Sequence, residues 1–265
     1  MAFWRLLKPE VFDAFTNMAI DEAIMKARIE NRIPNTLRFY TWKPSAVSIG
    51  RFQKLEEQIH IESCKKYGVD IVRRISGGGT VYHDQHGEIT YSITAKLSDI
   101  DCADLDMLCA YKKICNGLNE AVKILGAKAE YRPPDPKRCP NLVISGKKIS
   151  GNAQTSKKGI LLQHGTFLLD IDHEKMFTFL KVPWAKTLTD VIEVSKRKLT
   201  SAKQEIGSDF STKEVCSALI KGFTKTLNAK FVEEKLTKYE QKLAKKIRKE
   251  RFVTEDWTFL GKSSI

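Results

Sequence analysis

The chain has 265 residues, with 45 Lys and Arg against 32 Asp and Glu, so its formal net charge is +13. Hydrophobic residues make up 42% of it and charged residues 29%, a globular composition that argues against long-range disorder, and the length fits one large domain or one domain with a small appendage. No apolar run approaches the roughly 18 residues of a membrane helix, and the first residues lack a secretory pattern. The excess of positive charge predicts an acidic partner, such as nucleic acid, an anionic membrane, phosphates or an acidic protein.

The cysteines are spread along the chain at positions 64, 102, 109, 115, 139 and 216, without a Cys-x-x-Cys pair. This spacing predicts scattered thiols rather than a zinc site or a disulfide framework. Because unpaired thiols are typical of a reducing compartment, we expect a cytoplasmic protein.

The hydrophobic pattern of the first hundred residues indicates both helices and strands. Apolar positions recur at helical spacing from Phe15 to Ala27. Residues 54–67 have a polar helical pattern. Alternation, or a short β-rich run, predicts strands over 37–42, 46–50, 69–74 and 88–94.

The second half predicts a long helix, hairpins and a final pair of helices. The long helix carries apolar residues from Leu108 to Leu125 and ends at Gly126. The proline-rich segment 132–140 is predicted to be a loop. Strand pairs are expected over 141–154, with a turn at Gly146, and over 159–172. Later signals are a capping box and an apolar helix face, carried by Ser211 with Glu214 and by Leu236, Tyr239, Leu243 and Ile247. Because hairpins interrupt the alternation of strands and helices, the sequence predicts an α+β fold with a mixed sheet.

The segment RRISGGGTVYHD, residues 73–84, is the most informative for chemistry. Three consecutive glycines allow backbone N–H groups to converge on an anion, and Arg73 and Arg74 could pair with phosphate oxygens. It is neither a Walker A motif, because no Gly-Lys-Ser/Thr follows, nor a Rossmann fingerprint, because a β-type sequence follows the glycines. A glycine-rich hairpin connection with exposed arginines remains the alternative at this point.

Two later segments carry weaker signals. Lys147 and Lys148 lie beside the turn at Gly146, where a lysine could stabilise developing negative charge, although a solvated lysine is the simpler interpretation. His164 interrupts an apolar strand, as a satisfied core or edge histidine often does. His83 and His86 form a His-x-x-His pair without a convincing third ligand, so no metal site made by the protein alone is predicted.

The ordered set of segments resembles the lipoate–protein ligase family of the biotin/lipoyl ligase fold. The matching segments are 17–22 (NMAIDE), 37–40 (LRFY), 47–50 (VSIG), 73–84, 146–153 (GKKISGNA), 164–166 (HGT) and 254–257 (TEDW). The resemblance extends over essentially the whole chain. It implies a central mixed β-sheet flanked by helices, in a single catalytic domain over residues 1–265 that includes the basic C-terminal helix at about 234–251.

The resemblance implies a two-step reaction in which lipoate and Mg²⁺-bound ATP give lipoyl-AMP, and the lipoyl group then passes to a protein lysine. The acceptors would be acidic lipoyl domains of E2 subunits or the glycine-cleavage H protein. By resemblance, Lys148 is the catalytic residue, contacting the acyl oxygen and the phosphate. The implied ATP and adenylate site comprises Arg73, Arg74, Ser76, Gly77, Gly78, Gly79, Thr80, Val81, Tyr82, His83, Asp84, Lys148, Gly151 and Asn152. The implied lipoyl site comprises Tyr40, Val47, Gly79, Lys148, His164 and Gly165.

The same fold includes cysteine-dependent transferases that use an octanoyl-carrier protein and no ATP. Segments 151–155 and 162–165 fit that subgroup equally well. Two features favour the ligase: the third glycine, Gly79, is commonly Arg in cysteine-type transferases, and Cys139 lies closer to the lysine hairpin than their nucleophile does. In the alternative reaction Cys139 would carry the acyl group; otherwise it is a loop thiol without a role.

The C-terminal segment predicts an arrangement in two polypeptides. The chain ends shortly after Trp257, so the accessory domain of many ligases is expected to be absent and supplied by a separate subunit. The basic run over 235–251 is interpreted as a solvated helix face. A nucleic-acid-binding regulator of the same fold is the least favoured alternative, and no membrane partner is expected.

Overall fold

The computed structural model describes residues 2–134, 140–182, 185 and 187–262. The strands are β1 (Ala2–Phe12), β2 (Thr36–Trp42), β3 (Ala46–Ile49), β4 (Asp70–Arg73), β5 (Val81–His83), β6 (Glu88–Lys96), β7 (Glu130–Arg132), β8 (Asn141–Ile144), β9 (Lys147–Lys157), β10 (Ile160–Leu168) and β11 (Ala229–Glu233). The helices are α1 (Ala14–Ile29), α2 (Leu55–Gln58), α3 (Ile61–Lys66), α4 (Met107–Ile124), α5 (His173–Phe179), α6 (Leu188–Lys198), α7 (Ala202–Ile206), α8 (Thr212–Leu227), α9 (Lys238–Ile247) and α10 (Glu255–Leu260).

Two mixed sheets form the centre of the molecule. The large sheet has the order β11-β1-β2-β6-β10-β9-β8-β7, and the small sheet has the order β4-β3-β5. Pairing is parallel in β11-β1-β2 and β3-β4, and antiparallel in the other adjacent pairs. The predicted α+β class, a mixed sheet flanked by helices, is confirmed.

Helices cover both faces of the large sheet. On one face, α4 and α8 pack over the apolar side of the central strands, with Phe39, Tyr91 and Phe167 buried beneath them. The two helices approach closely, because a Cβ atom at Gly222 would lie 2.2 Å from the carbonyl oxygen of Gly117. On the other face lies α1, and α9 packs against α1 from outside.

The α1 face of the sheet is lined by polar side chains. The alternation in β6 predicts one apolar and one polar face, yet all but its last residue are buried. The polar face is buried because Ser92 donates to Asp21 of α1 over 2.9 Å, and Thr90 accepts from the Trp42 indole over 2.8 Å. Burial of polar groups requires such partners, so α1 covers a hydrogen-bonded layer that leads into the cavity described below.

Several predicted elements are confirmed and others were missed. The helices at Phe15–Ala27 and Leu108–Leu125, the turn at Gly146 and the capping box of Ser211 with Glu214 are present. Strands β1 and β11 and helices α5 and α7 were not predicted, because their alternation or length is insufficient. No helix among residues 2–134, 140–182 and 187–262 is long and apolar enough to cross a membrane.

The prediction of six scattered thiols is wrong for one pair. Cys102 and Cys109 form a disulfide, with Cα atoms 5.8 Å apart. Asp106 accepts a hydrogen bond from the Cys109 amide and caps α4. The turn before this helix brings together two cysteines that are 7 residues apart in the sequence, a spacing that was not recognised as a disulfide signal. Cys64, Cys115 and Cys216 are free and buried, and Cys139 lies outside the described residues.

Candidate active site

A cavity of about 90 Å³ lies where the small sheet meets the α1 face of the large sheet. The large sheet, α1 and β8 contribute Met18, Tyr40, Trp42, Thr90, Asn141, Lys148, Gly151, Asn152, Ala153, His164, Gly165 and Thr166. The small sheet and its glycine loop contribute Ser48, Arg74, Gly79, Thr80, Val81 and His83. Eleven residues predicted from the sequence therefore meet in one cavity, although they are distant along the chain.

Lys148 enters this cavity from the second residue of β9, directly after the turn at Gly146. Its backbone carbonyl accepts a hydrogen bond from the Thr200 amide over 2.9 Å, which fixes the strand against the segment after α6. Its ammonium lies over Gly151, where an added Cβ atom would come 2.7 Å from Nζ. Gly151 thus provides the space that the lysine side chain occupies.

Gly165 is required for a second close approach. A Cβ atom there would lie 2.3 Å from Asn152 Oδ1 and 2.8 Å from the Gly151 carbonyl oxygen. Asn152 in turn accepts a short hydrogen bond from the buried Tyr91 hydroxyl. These contacts hold β9 and β10 together directly beside Lys148.

Arg74 connects the glycine loop to β3. Its guanidinium donates to the carbonyl oxygens of Gly77 and Gly79 over 3.0 and 2.8 Å, and to the Ser48 hydroxyl over 2.8 Å. The loop also packs on Gly50, because a Cβ atom there would lie 2.1 Å from the Gly78 carbonyl oxygen. Arg74 therefore sets the loop's shape and places a buried positive charge at the cavity wall.

One buried serine–histidine–carboxylate chain reaches the cavity wall at His164. Ser76 Oγ lies 2.6 Å from His164 Nε2, and His164 Nδ1 lies 3.2 Å from Asp21 Oδ2. Burial raises the pKa of Asp21, but the Arg38 ion pair and the His164 bond outweigh it, so the pKa is lowered. Burial lowers the pKa of His164 more than Asp21 raises it. His164 is therefore a neutral ring at neutral pH.

A second chain of the same kind faces the cavity. Ser48 Oγ lies 2.7 Å from His83 Nε2, and His83 Nδ1 lies 2.7 Å from Glu88 Oε1. The His83 ring is stacked on Trp42 with ring centres 4.0 Å apart. Unlike Ser76, Ser48 lines the cavity itself.

Other predicted site residues lie away from the cavity wall. The Arg73 guanidinium donates to backbone carbonyl oxygens on both sides of the small sheet's edge, among them those of Gln53 at 2.6 Å and Trp257 at 2.9 Å. Val47 is in the core of the small sheet. Tyr82 donates to Asp84, which pairs with Lys175 on the opposite side of β5. Ser76, Gly77 and Gly78 shape the loop without lining the cavity. Their predicted contacts with nucleotide stay predictions.

Sequence reasoning missed several residues of the site. Trp42, Thr90, Asn141, Thr166 and Met18 line the cavity without having been assigned a role. Asp21 and Ser48 lay inside the matched segments 17–22 and 47–50. Their place in these segments marked them as candidates. The sequence alone, however, does not show that the Asp21 carboxylate contacts a histidine 143 residues away.

The model of the lipoyl protein ligase A/B catalytic domain family matches residues 13–224. The chain belongs to this family. Among curated relatives, an octanoyltransferase LipM from Brevibacillus brevis is 35% identical over 97% of this chain and 99% of its own, and one from Clostridioides difficile is 34% identical over 96% and 97%.

Solved structures of the family share the fold. The structure of an archaeal lipoylation system from Thermoplasma acidophilum, described as a bi-partite lipoate protein ligase and its E2 lipoyl domain, contains a chain with TM-score 0.86 and 28% identity over 100% of both chains. A lipoate-protein ligase A bound with ATP gives TM-score 0.84 and 29% identity, covering 98% of this chain and 99% of that one.

The relatives overturn the prediction of an ATP-dependent lipoate–protein ligase. Curated relatives that are 31–35% identical over nearly the full length are octanoyltransferases. Of the two features that favoured a ligase, Gly79 lines the cavity, and a Cβ atom there would meet no described atom within 4 Å, so packing among the described residues does not require glycine at this position. The other, the spacing of Cys139, falls in a segment outside the described residues.

Proposed function

We propose that this chain is an octanoyltransferase that moves an octanoyl group from a carrier-protein thioester to a lysine of an acceptor lipoyl domain, through a thioester on Cys139. The similarity to octanoyltransferases LipM over nearly the whole chain carries the proposal. The lipoyl-domain acceptor is supported by the Thermoplasma acidophilum protein, whose described partner is an E2 lipoyl domain.

Each half-reaction exchanges one acyl bond. First, Cys139 gives up its proton and its thiolate attacks the octanoyl carbonyl; the new C–S bond forms, the carrier C–S bond breaks, and the departing carrier thiolate takes up the proton that Cys139 lost. Then the acceptor amine attacks; the amide C–N bond forms, the Cys139 C–S bond breaks, and the thiol is regenerated. Arg74 and Lys148 at the cavity wall would favour the thiolate form of a cysteine brought there.

Lys148 is expected to stabilise the oxyanion in both half-reactions. The space above Gly151 holds its ammonium inside the cavity, where a positive charge acts at low effective dielectric. The octanoyl tail would lie against Met18, Trp42 and Ala153, which supply apolar surface to the same cavity.

The nucleotide predictions belonged to the ligase reaction. Arg73 does not fit a phosphate ligand here, because its guanidinium is already bonded to backbone carbonyl oxygens. The proposed transfer uses neither ATP nor Mg²⁺ and forms no lipoyl-AMP, and the accessory subunit stays a prediction.

The decisive assay incubates the purified chain with octanoyl-carrier protein and an acceptor lipoyl domain, without ATP. Mass spectrometry should detect an octanoyl group on the acceptor lysine and, transiently, on Cys139. Cys139→Ala should abolish both products. Transfer that requires added ATP, or that persists in Cys139→Ala, would refute the proposed route.

Lys148→Met tests the oxyanion role. Loss of a preorganised positive charge should lower kcat for octanoyl transfer by about 100- to 1,000-fold, while the melting temperature stays near that of the wild type because the side chain is half-buried at the cavity wall. Arg132→Met, which removes a cation near the same turn, is the control. Equal losses in the two variants would show that Lys148 has no special role.

A further inference from the structure

The second half-reaction needs a proton acceptor, because a lysine amine near neutral pH carries a proton that must leave before it attacks the thioester. Lys148, as the oxyanion-stabilising ammonium, cannot accept it. Among the described residues lining the cavity, His83 and His164 carry imidazole rings, whose unprotonated nitrogen can accept a proton. This question rests on the proposed function and concerns the same site.

The two histidines have the same kind of partners but differ in two respects. His164 contacts Ser76, which does not line the cavity, whereas His83 contacts Ser48, which does. The carboxylate oxygen lies 3.2 Å from the ring nitrogen of His164 but 2.7 Å from that of His83. Only the chain of His83 therefore connects the cavity surface, through a hydroxyl, to a closely bonded carboxylate.

The two carboxylate oxygens of Glu88 differ in their hydrogen-bond partners. Its Oε1 atom accepts from Thr90 and contacts His83, whereas its Oε2 atom is buried without a hydrogen-bond partner among the described residues. A buried carboxylate that is only half satisfied is costly. A positive charge on the adjacent imidazole would reduce that cost, so the pair is suited to hold a transferred proton.

We propose that Ser48, His83 and Glu88 form a proton relay that accepts the proton of the incoming acceptor lysine. The amine gives its proton to Ser48 Oγ, and the Ser48 proton passes to His83 Nε2. His83 becomes an imidazolium paired with Glu88 through Nδ1. After the amide C–N bond forms and the Cys139 C–S bond breaks, the thiolate takes up the second amine proton, and the relay returns its proton to solvent.

The charges around His83 come from several elements. Glu88 of β6 favours the imidazolium, while Arg74, which contacts Ser48, opposes it. His164 of β10 is near enough that, after burial, the charges of Arg74 and His83 contribute to lowering the pKa of His164. Asp21 of α1 is compensated by its Arg38 ion pair. The direct carboxylate contact is thus the charge most closely coupled to His83.

The test is the pH dependence of the second half-reaction in single turnover. Wild-type enzyme is loaded with octanoyl groups, freed of donor and mixed with lipoyl domain across a pH series. The wild-type rate should rise with pH and level off once the relay is unprotonated. His83→Gln should be about 100-fold slower at neutral pH. The rate of this variant should keep rising with pH until the pH reaches the pKa of a free lysine amine, about 10.4.

Three further variants separate the relay from a structural role. Ser48→Ala keeps the imidazole but breaks the link, so it should lose the levelling-off, whereas Ser76→Ala in the parallel chain should retain it. Glu88→Gln keeps a hydrogen-bond acceptor but removes the negative charge, so the rate should level off at a lower pH than in the wild type.

Hydroxylamine serves as a second acceptor, because it is largely unprotonated at neutral pH and needs no base. His83→Gln should react with it at a rate within about twofold of the wild type. The relay would be overturned if His83→Gln lost the same factor in rate with hydroxylamine as with the lipoyl domain. It would also be overturned if the rate of Ser48→Ala still levelled off with pH as in the wild type. Absence of acyl-enzyme in the wild type would instead refute the proposed function.

Discussion

At the scale of single residues, two glycines beside Lys148 differ in what a methyl group would meet. At Gly151 the nearest atoms are Lys148 Nζ and Cε, at 2.7 and 2.8 Å, which belong to the movable end of a side chain. At Gly165 they include a backbone carbonyl oxygen and the buried Tyr91 ring, both at 2.8 Å. One glycine therefore positions an ammonium, and the other permits two strands and a ring to pack.

Gly151→Ala should consequently impair turnover without unfolding the protein. The added methyl displaces the Lys148 ammonium, so we expect kcat for octanoyl transfer to fall about tenfold or more, with a melting temperature near the wild-type value. Gly165→Ala should instead lower the free energy of unfolding by about 1–3 kcal/mol through overpacking. Steady-state kinetics and urea unfolding of both variants check this contrast, which a reversed pattern would contradict.

At the scale of elements, α9 is tied to the sheet by a buried ion pair. The guanidinium of Arg5 in β1 donates to both Glu240 carboxylate oxygens, at 2.8 and 2.5 Å, and both side chains are fully buried. Glu240 also accepts from the Thr237 amide that caps α9. Burial alone would raise the pKa of Glu240, but Arg5 and the Thr237 bonds outweigh it, so the pKa is lowered.

Glu240→Ala should therefore cost about 3–5 kcal/mol of unfolding free energy, because it leaves Arg5 buried without its partner. The Glu240 contribution should be complete above the unfolded-state pKa of about 4.3 and be lost as the pH falls through the lower folded-state pKa. Glu233→Ala is the control, since its pair with Lys8 is exposed and should contribute less than about 1 kcal/mol. Urea unfolding at several pH values measures both, and similar losses would contradict the argument.

These elements also show what the sequence can and cannot predict. The α+β class, α1, α4, α8, α9 and the Gly146 turn follow from periodicity, capping and glycine, which are local signals. The ion pair of Arg5 with Glu240 joins residues 235 positions apart, and the pairing of β1 with β11 is equally remote. Such contacts, like the two serine–histidine–carboxylate chains, depend on the tertiary fold and leave no local pattern.

Local sequence patterns also could not decide between the ligase reaction and the transferase reaction. Lys148, Arg74 and the glycine loop suit any acyl or adenylate chemistry that needs positive charge, so their presence could not separate a ligase from a transferase. The similarity over nearly the whole chain to octanoyltransferases LipM is what favours the transferase.

At the scale of the whole molecule, the net charge of +13 can be divided by location. Lys147 directly precedes Lys148 in β9, and Lys196 lies near Lys147, because after burial the positive charges of both contribute to lowering the pKa of His173. Arg132 is also there, donating to the Gly146 carbonyl oxygen over 3.0 Å. None of these three has a carboxylate partner within the described part of the chain. By contrast, the exposed lysines of α9 lie on the outside of α1.

This distribution predicts where an acidic protein substrate is attracted. Charge reversal in Lys147→Glu/Lys196→Glu should raise KM for an acidic lipoyl domain by about tenfold at low salt, because positive charges near Lys148 attract an acidic partner during encounter. The octanoyl transfer rate at saturation should change little. The effect should diminish as added salt shortens the Debye length from about 10 Å at 0.1 M. The matched control reverses Lys238 and Lys242 on α9, leaving the net charge equal; an equal rise in KM there would show that overall charge, rather than its position beside Lys148, governs docking.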